Sequence, residues 1–307
     1  MKKSRIAWYL GHPITIFTRI ATMFPKMIKS DKQFINLLYY TAFAKLPDLK
    51  NPQTFNEKLQ WLKLYNRKPE YIKMVDKCDA KKYVASIIGE DHIIPTLGVY
   101  NNVDEIDFDT LPKQFVLKCT HDSGGLVICK DKDELDIESA KEKLHRNFSE
   151  NIFWRTREWP YKHIKPRIIA EKYLIDESGI ELKDYKFFCF HGICKFFKID
   201  FNRYIEHHAN YYDRDLNLLP FGENACPPIY NKKLFIPDNI NEMIKLAEVV
   251  ANENPFLRVD FYNVNGLIYF GEITFFPDSG VGVLNPIEWD AKIGSYLNLP
   301  SEKFVAE

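Results

Sequence analysis

Residues 256–274 place the tightest constraint on how this chain can fold. Two apolar runs, Phe256 to Tyr262 and Leu267 to Thr274, flank Asn263-Val264-Asn265-Gly266. Asn-Gly between strand-like runs signals a hairpin, because its turn needs positive φ at both positions and these residues adopt it at little cost. Asp260 of Arg258-Val259-Asp260 falls near the end of the first strand. Glu272 of Gly271-Glu272-Ile273-Thr274 falls near the end of the second. A simple register does not set the two opposite each other, so a bulge or a longer loop is needed to converge them. Converged, two carboxylates and a guanidinium share one floor. That is equipment for holding Mg2+ against nucleotide phosphates: hard oxygens for the metal and a planar cation for the phosphoryl oxygens.

The totals exclude little but narrow the class. The 307 residues suffice for one large domain or two modest ones, and the formal net charge of zero offers no global attraction for nucleic acid. Six cysteines form no C-x-x-C pair and several lie in or beside apolar strands, so they read as reduced thiols and point to the cytoplasm. The histidines show no zinc spacing. No apolar run approaches the ~20 residues that span a bilayer. In the first 33 residues Trp8, Ile14, Phe17, Ile20, Phe24 and Ile28 recur near helical spacing, with seven Lys/Arg against the single acid Asp31. This basic amphipathic pattern fits either a peripheral contact of residues 1–33 with the inner face of a membrane or a helix packed on the domain. Pro13 and Arg19 interrupt any signal-peptide core, so export is not expected.

Along the chain, Thr54-Phe55-Asn56-Glu57 is a capping box opening a helix to about Asn66, with Phe55, Leu59, Leu62 and Tyr65 on its apolar side. Asp76 caps another helix, which stops at Gly89. Strands are expected over 115–119, 126–129, 168–174, 185–190 and 193–199, the last two turned at His191-Gly192. Helices are expected over 139–148, 240–251 and 287–297. A helical start, a small mixed unit and then a larger antiparallel sheet with a helix inserted predict an α+β fold.

Three further clusters carry charge into apolar strands. Lys118 sits within Phe115-Val116-Leu117-Lys118-Cys119, where it costs desolvation unless an anion meets it. Ser123-Gly124-Gly125 follows, and its glycines let backbone N–H groups approach phosphate oxygens. The pair reads either as a phosphate site or as an edge lysine beside an ordinary glycine turn. Glu171-Lys172-Tyr173-Leu174 is either a nucleotide-reading strand end or a solvated ion pair. Asp184 and Lys186 share a strand face, suited either to ribose and phosphate or to a cross-strand ion pair.

Taken together and in this order, the lysine strand with its glycine hairpin, the Glu-Lys-aromatic-Leu hinge, the acidic strand start, R-V-D and G-E-x-T resemble the ATP-grasp superfamily. The phrases Phe55-Asn56-Glu57-Lys58-Leu59-Gln60-Trp61, Leu117-Lys118-Cys119-Thr120-His121-Asp122-Ser123-Gly124-Gly125, Trp159-Pro160-Tyr161 and Lys183-Asp184-Tyr185-Lys186-Phe187-Phe188 resemble the TupA-like ATP-grasp family in particular. That family is named for teichuronopeptide biosynthesis. The resemblance runs from about Pro52 to Pro300. It implies an ATP-grasp fold in which two α+β subdomains clasp the nucleotide behind a helical extension, with divisions at 1–70, 71–165 and 166–307.

By the same resemblance, Lys118 and Lys172 contact ATP phosphates, and Ser123, Gly124 and Gly125 close over them as a lid. Glu171 and the Leu174 backbone read adenine, and Asp184 reads the ribose. Asp260, Glu272 and Thr274 hold Mg2+, with Thr274 standing where the superfamily usually has asparagine. Arg258 and Lys186 stabilise the transferring phosphoryl group. His121 and Asp122, at the lid, either orient the acceptor or take the amine proton, or simply cap the glycine turn. The implied reaction joins a carboxylate to an amine through an acylphosphate, with an amino acid and a sugar-derived acceptor of a surface polysaccharide as partners. Three rivals stand beside it: a kinase on the same fold, a nucleotide-sugar glycosyltransferase using the D-x-D of Asp213 and Asp215, and a non-catalytic scaffold held on a membrane by the basic N-terminal helix.

Overall fold

A computed structural model describes residues 11–122, 124–176, 178–179, 181–203 and 205–306. Ser123 of the expected lid, and Trp8 with the rest of 1–10, lie outside the described residues. Helices α1 (Pro13–Thr22) and α2 (Asp31–Phe43) form the N-terminal extension, followed by α3 (Phe55–Tyr65), α4 (Glu70–Val75) and α5 (Lys77–Ile88). The expected capping box opens α3: the Thr54 hydroxyl accepts from the Glu57 N–H, and the Glu57 carboxylate accepts from the Thr54 N–H. Thr54→Ala is expected to cost about 1 kcal/mol in urea unfolding; an unchanged midpoint would show that the box contributes nothing.

Two antiparallel sheets carry the cleft. Strands β1 (Thr96–Tyr100), β2 (Phe115–Cys119), β3 (Leu126–Cys129) and β4 (Ile168–Lys172) form the smaller, in spatial order β1-β4-β2-β3. Strands β5 (Asp184–Phe190), β6 (Ile193–Phe201), β7 (His208–Asp213), β8 (Phe256–Val264) and β9 (Leu267–Thr274) form the larger, in order β9-β8-β5-β6-β7. The order of helical start, small mixed unit and large sheet is therefore the α+β arrangement expected.

Each sheet packs its apolar face on its own core. Leu117, Cys119, Ile168 and Ala170 of the smaller sheet pack with Leu144 of helix α6 (Ile137–Phe148). Phe187, Phe197, Val259 and Phe261 of the larger sheet pack with Met243 and Ala247 of helix α7 (Ile240–Ala251). Tyr71, Met74, Ala80 and Val84 of α4 and α5 also belong to this larger core. The expected divisions at 71 and 166 cut across this packing, because α4 and α5 bury against the large sheet while Ile168–Lys172 hydrogen-bonds into the small one. Apolar burial and ladder bonding, rather than sequence adjacency, decide where each segment goes.

The extension departs from the expected helix packed by its apolar side. Thr15 and Thr18 face α2, where the Thr41 hydroxyl donates to the Thr18 hydroxyl at 2.9 Å. The apolar residues of α1 lie on the opposite face and are exposed.

Candidate active site

Strand alternation builds the floor. The hairpin turns at Asn265 and Gly266, both at positive φ as the Asn-Gly signal requires. Asp260 and Glu272 are register partners, and the ladder shifts immediately after them, between Asp260 and Phe261. This bulge beside Gly271 supplies the convergence that a simple register denies. Asp260 also pairs with Lys186, and Lys186 pairs in turn with Lys198. One row across four strands therefore reads Glu272, Asp260, Lys186, Lys198. The next row holds Tyr262, Asp184 and Asp200. Because residues two apart share a sheet face, all of these side chains stand on the side opposite the phenylalanine core.

Their charges are interlocked. Arg258 donates to both oxygens of Asp260 at 2.7 Å, a bidentate fork, and to Glu272 at 2.8 Å. Lys186 lies 2.9 Å from Asp260, 3.2 Å from Asp184 and 3.5 Å from Asp200. Asp184 is also paired with Arg203. Burial opposes the charge on Lys186, but the surrounding aspartates outweigh it and raise its pKa above the ordinary lysine value. Partial burial opposes ionisation of Glu272, whose side chain stays 45% exposed, but Arg258, Lys186, Lys77 and Lys118 together hold its carboxyl at about 2. Thr274 Oγ1 lies 3.3 Å from Glu272 Oε1, beside the two carboxylates.

The smaller sheet forms the facing wall. Lys118 points away from the core formed by Leu117 and Cys119 and meets Glu171 at 2.6 Å. Glu171 also binds Lys81 at 2.5 Å, and Lys81 donates to the Ile94 carbonyl at 2.7 Å. The expectation that Glu171 reads adenine meets a competing use here, since each of its oxygens neutralises a buried lysine. Glu171 nevertheless lines a mostly apolar pocket of about 100 Å³, together with Val116, Ile128, Lys172, Tyr173 and Leu174 among others, which is where the strand end was expected to receive the base. Lys172 is exposed at its rim.

The turn after β2 is held by its own contacts. Asp122 accepts from the Gly125 N–H at 3.1 Å, and Lys77 donates to the Asp122 carbonyl. A Cβ on Gly125 would lie 2.5 Å from Cys119 Sγ, so glycine is needed there for packing as well. Gly124 stands beside the Asn147 side chain, with room for a Cβ only at 3.0 Å from its oxygen. His121 is fully buried, with Nε2 donating to the Phe148 carbonyl at 3.2 Å and its ring edge-on to that phenylalanine. Burial lowers its pKa. It does not line the cleft, whereas its neighbour Asp122 does.

The cleft between the sheets encloses about 390 Å³ and brings together Lys118, Gly125, Asp184, Lys186, Arg258, Asp260 and Glu272. It also holds residues that sequence reading passed over. Lys77 is the first residue of α5, and Lys198 and Asp200 stand on β6. The last two carried a legible signal, charges two apart in an apolar strand, like Asp184 and Lys186. Glu223 and Asp278 come from short irregular segments and carried none. Lys198 binds Glu223 at 2.9 Å, and Asp278 lines the same cleft. The neighbouring Glu223 charge pushes the carboxyl of Asp278, which is itself exposed, up to about 6. Asp278 sits at positive φ in a loop whose Ser279 and Gly280 carbonyls accept from Gln60, with Ser279 also bonded to Lys63.

A Mg2+ ion takes one or two protein carboxylates and completes its octahedron with water and phosphate oxygens. Glu272, paired with Asp260 across the hairpin and 45% exposed, fits that demand directly, whereas Asp260 lines the cleft with both oxygens held by Arg258 and Lys186 and would have to give up one of these contacts to reach an ion. Asp213 and Asp215 do not join them: Asp213 accepts from the Asp215 and Asn217 N–H groups and so closes the turn after β7.

A family model described as TupA-like ATPgrasp matches residues 57–298. No match was found among curated proteins. Among solved structures, the D-alanine–D-alanine ligase of Bacillus anthracis is similar over 66% of this chain and 57% of its own, at 17% identity and a TM-score of 0.41. That of Helicobacter pylori is similar over 74% and 61%, at 16% identity and a TM-score of 0.39. The ATP-grasp ligase PsnB, complexed with minimal precursor, Mg and ADP, is similar over 71% and 57%, at 12% identity and a TM-score of 0.38. The chain spans less than two thirds of the length of each of these ligases.

Proposed function

This chain belongs to the TupA-like ATP-grasp family, and on that premise we propose that it is an ATP-dependent carboxylate–amine ligase. The observation that carries the reading is the charged row Glu272, Asp260, Lys186, Lys198 on one floor, facing Lys118 across the cleft. The adenine lies in the apolar pocket beside Tyr173 and Leu174, and the phosphates run toward Lys118 and Lys186. Asp260 and Glu272 would hold Mg2+, with Thr274 beside them. An ion held there would supply neutralisation of phosphate charge.

A substrate carboxylate oxygen attacks the γ-phosphorus, the bond to the ADP oxygen breaks, and an acylphosphate forms. The amine nitrogen then attacks the acyl carbon and phosphate leaves. Arg258 and Lys186 stabilise the charge that develops on the phosphoryl and acyl oxygens. The amine must shed a proton, and Asp278, at about 6, is matched to accept one near neutral pH. Asp278 takes the place expected for His121, which is buried against Phe148. Glu223 and Asp200 make that end of the cleft hospitable to an ammonium group. An amino acid and a sugar-derived acceptor of a surface polysaccharide are the proposed pair.

The test is an ADP-release screen of amino acids with and without sugar acids, with hydroxylamine added to trap the acylphosphate. ADP release that needs both partners, together with a hydroxamate, is expected. A stable phosphate ester instead would make the protein a kinase. If Asp278 serves the amine, KM for that substrate rises as pH falls through about 6. Asp278→Asn raises KM throughout and flattens the profile. A variant that keeps the wild-type profile would take Asp278 out of the role.

A further inference from the structure

Helix α1 is amphipathic in the reverse of the usual sense. Surface helices bury their apolar stripe and wet their polar face. Here Thr15 and Thr18 are the buried side chains, 0% and 4% exposed, while Ile16, Phe17 and Ile20 lie on the outward face. Phe17 is 72% exposed, and Phe24 and Met27 in the following turn are exposed as well, Met27 at 80%. So many large apolar side chains exposed within one short stretch mark an interaction surface. Its rim is cationic. Arg19, Lys26, Lys29 and Lys32 are all exposed, and Asp31, the single acid in the sequence of residues 1–33, is bound by Arg67 at 2.7 Å and Arg157 at 3.2 Å.

The surface is also held rigidly. Arg157, fully buried, donates to the carbonyls of Pro25 at 2.8 Å and Ile28 at 2.7 Å and lies over the Phe34 ring. The next residue, Glu158, accepts from Ser279 at 2.7 Å, next to Asp278 in the cleft. The apolar turn and the cleft are thus joined through two consecutive residues.

We propose that α1 and the Pro25–Met27 turn dock the protein on an anionic lipid bilayer, with Phe17, Ile20, Phe24 and Met27 entering the headgroup boundary. The four cations meet lipid phosphates, and the Arg157–Glu158 link sets the orientation of the cleft against the surface. An apolar face ringed by Lys/Arg is the pattern that binds such interfaces.

The experiment is co-sedimentation of the full chain with vesicles of phosphatidylcholine alone or with about 30% phosphatidylglycerol. Binding to the anionic vesicles is expected, weakened by salt. It should fall by about tenfold or more in Phe17→Glu/Ile20→Glu. These side chains are exposed, so the thermal midpoint should stay put. No vesicle binding, or equal binding by the variant, overturns the proposal. So does a dimer in sedimentation velocity that the same variant dissociates, which would make the face a contact between copies. Binding seen only after deletion of residues 1–10 would assign the face to that segment and overturn it as well. None of these readouts involves ATP, so failure here is separate from failure of the ligase reading.

Discussion

Glu171→Ala is expected to destabilise the protein by about 3 kcal/mol in urea unfolding, because it strands the buried Lys81 and the half-buried Lys118 at once. Glu171 is the counter-ion of Lys118 at 2.6 Å and Lys81 at 2.5 Å, and all three side chains are largely withdrawn from water. Lys81 keeps the Ile94 carbonyl as a partner, but a carbonyl does not neutralise its charge. The pH dependence follows from the same contact. Burial opposes ionisation of Glu171, yet the two lysines outweigh it and hold its carboxyl at about 2. An unfolded glutamate titrates at about 4.3, so the folded pKa is depressed. The stabilisation is therefore complete above about pH 4.3 and is lost as pH falls towards about 2. Glu171→Gln should flatten the stability profile over that window. If Glu171→Ala melts like the wild type, Glu171 is free for the base after all, and the reading of the facing wall changes.

Arg258→Ala is expected to lower acceptor-dependent ADP release by about 10²–10³-fold, the usual cost of deleting one preorganised group that stabilises transition-state charge. The fork of Arg258 binds both oxygens of Asp260 and reaches Glu272. Its loss also leaves those carboxylates to repel each other across the hairpin, with Lys186 alone beside Asp260. Arg258→Lys should recover little, since an ammonium cannot reproduce a bidentate plane. The drop should appear in kcat more than in the KM for ATP. A variant with undiminished kcat would remove Arg258 from the chemistry and leave it a structural ion-pair partner.

Much of the site was legible because strand alternation is local. Lys118, Asp184, Lys186, Arg258, Asp260 and Glu272 each interrupt an apolar run at a spacing that puts them on one face. The structure assembles them in one cleft. The bulge at Asp260 was legible as a requirement, since two carboxylates out of register need one extra residue to meet. His121 looked like an acceptor group because it adjoins the glycine turn, but neighbours on a strand end face opposite ways. Asp122 took the cleft and His121 the core. Glu171 looked free because its lysines sit on β2 and α5, far away in sequence. Glu223 and Asp278 were invisible for another reason: a two-residue strand and a single short turn are too brief to show any periodicity.

The sequence by itself determined the hairpin with its Asn-Gly turn, the capped helices, the two-sheet α+β order and the family, because these rest on local propensity, periodicity and motif order. Tertiary structure alone decided which charges neutralise one another, which way α1 turns its apolar face, and which segments join each core. Those outcomes depend on desolvation and ion pairing between residues up to a hundred or more positions apart, as Arg157 with Pro25 and Gln60 with Gly280 are.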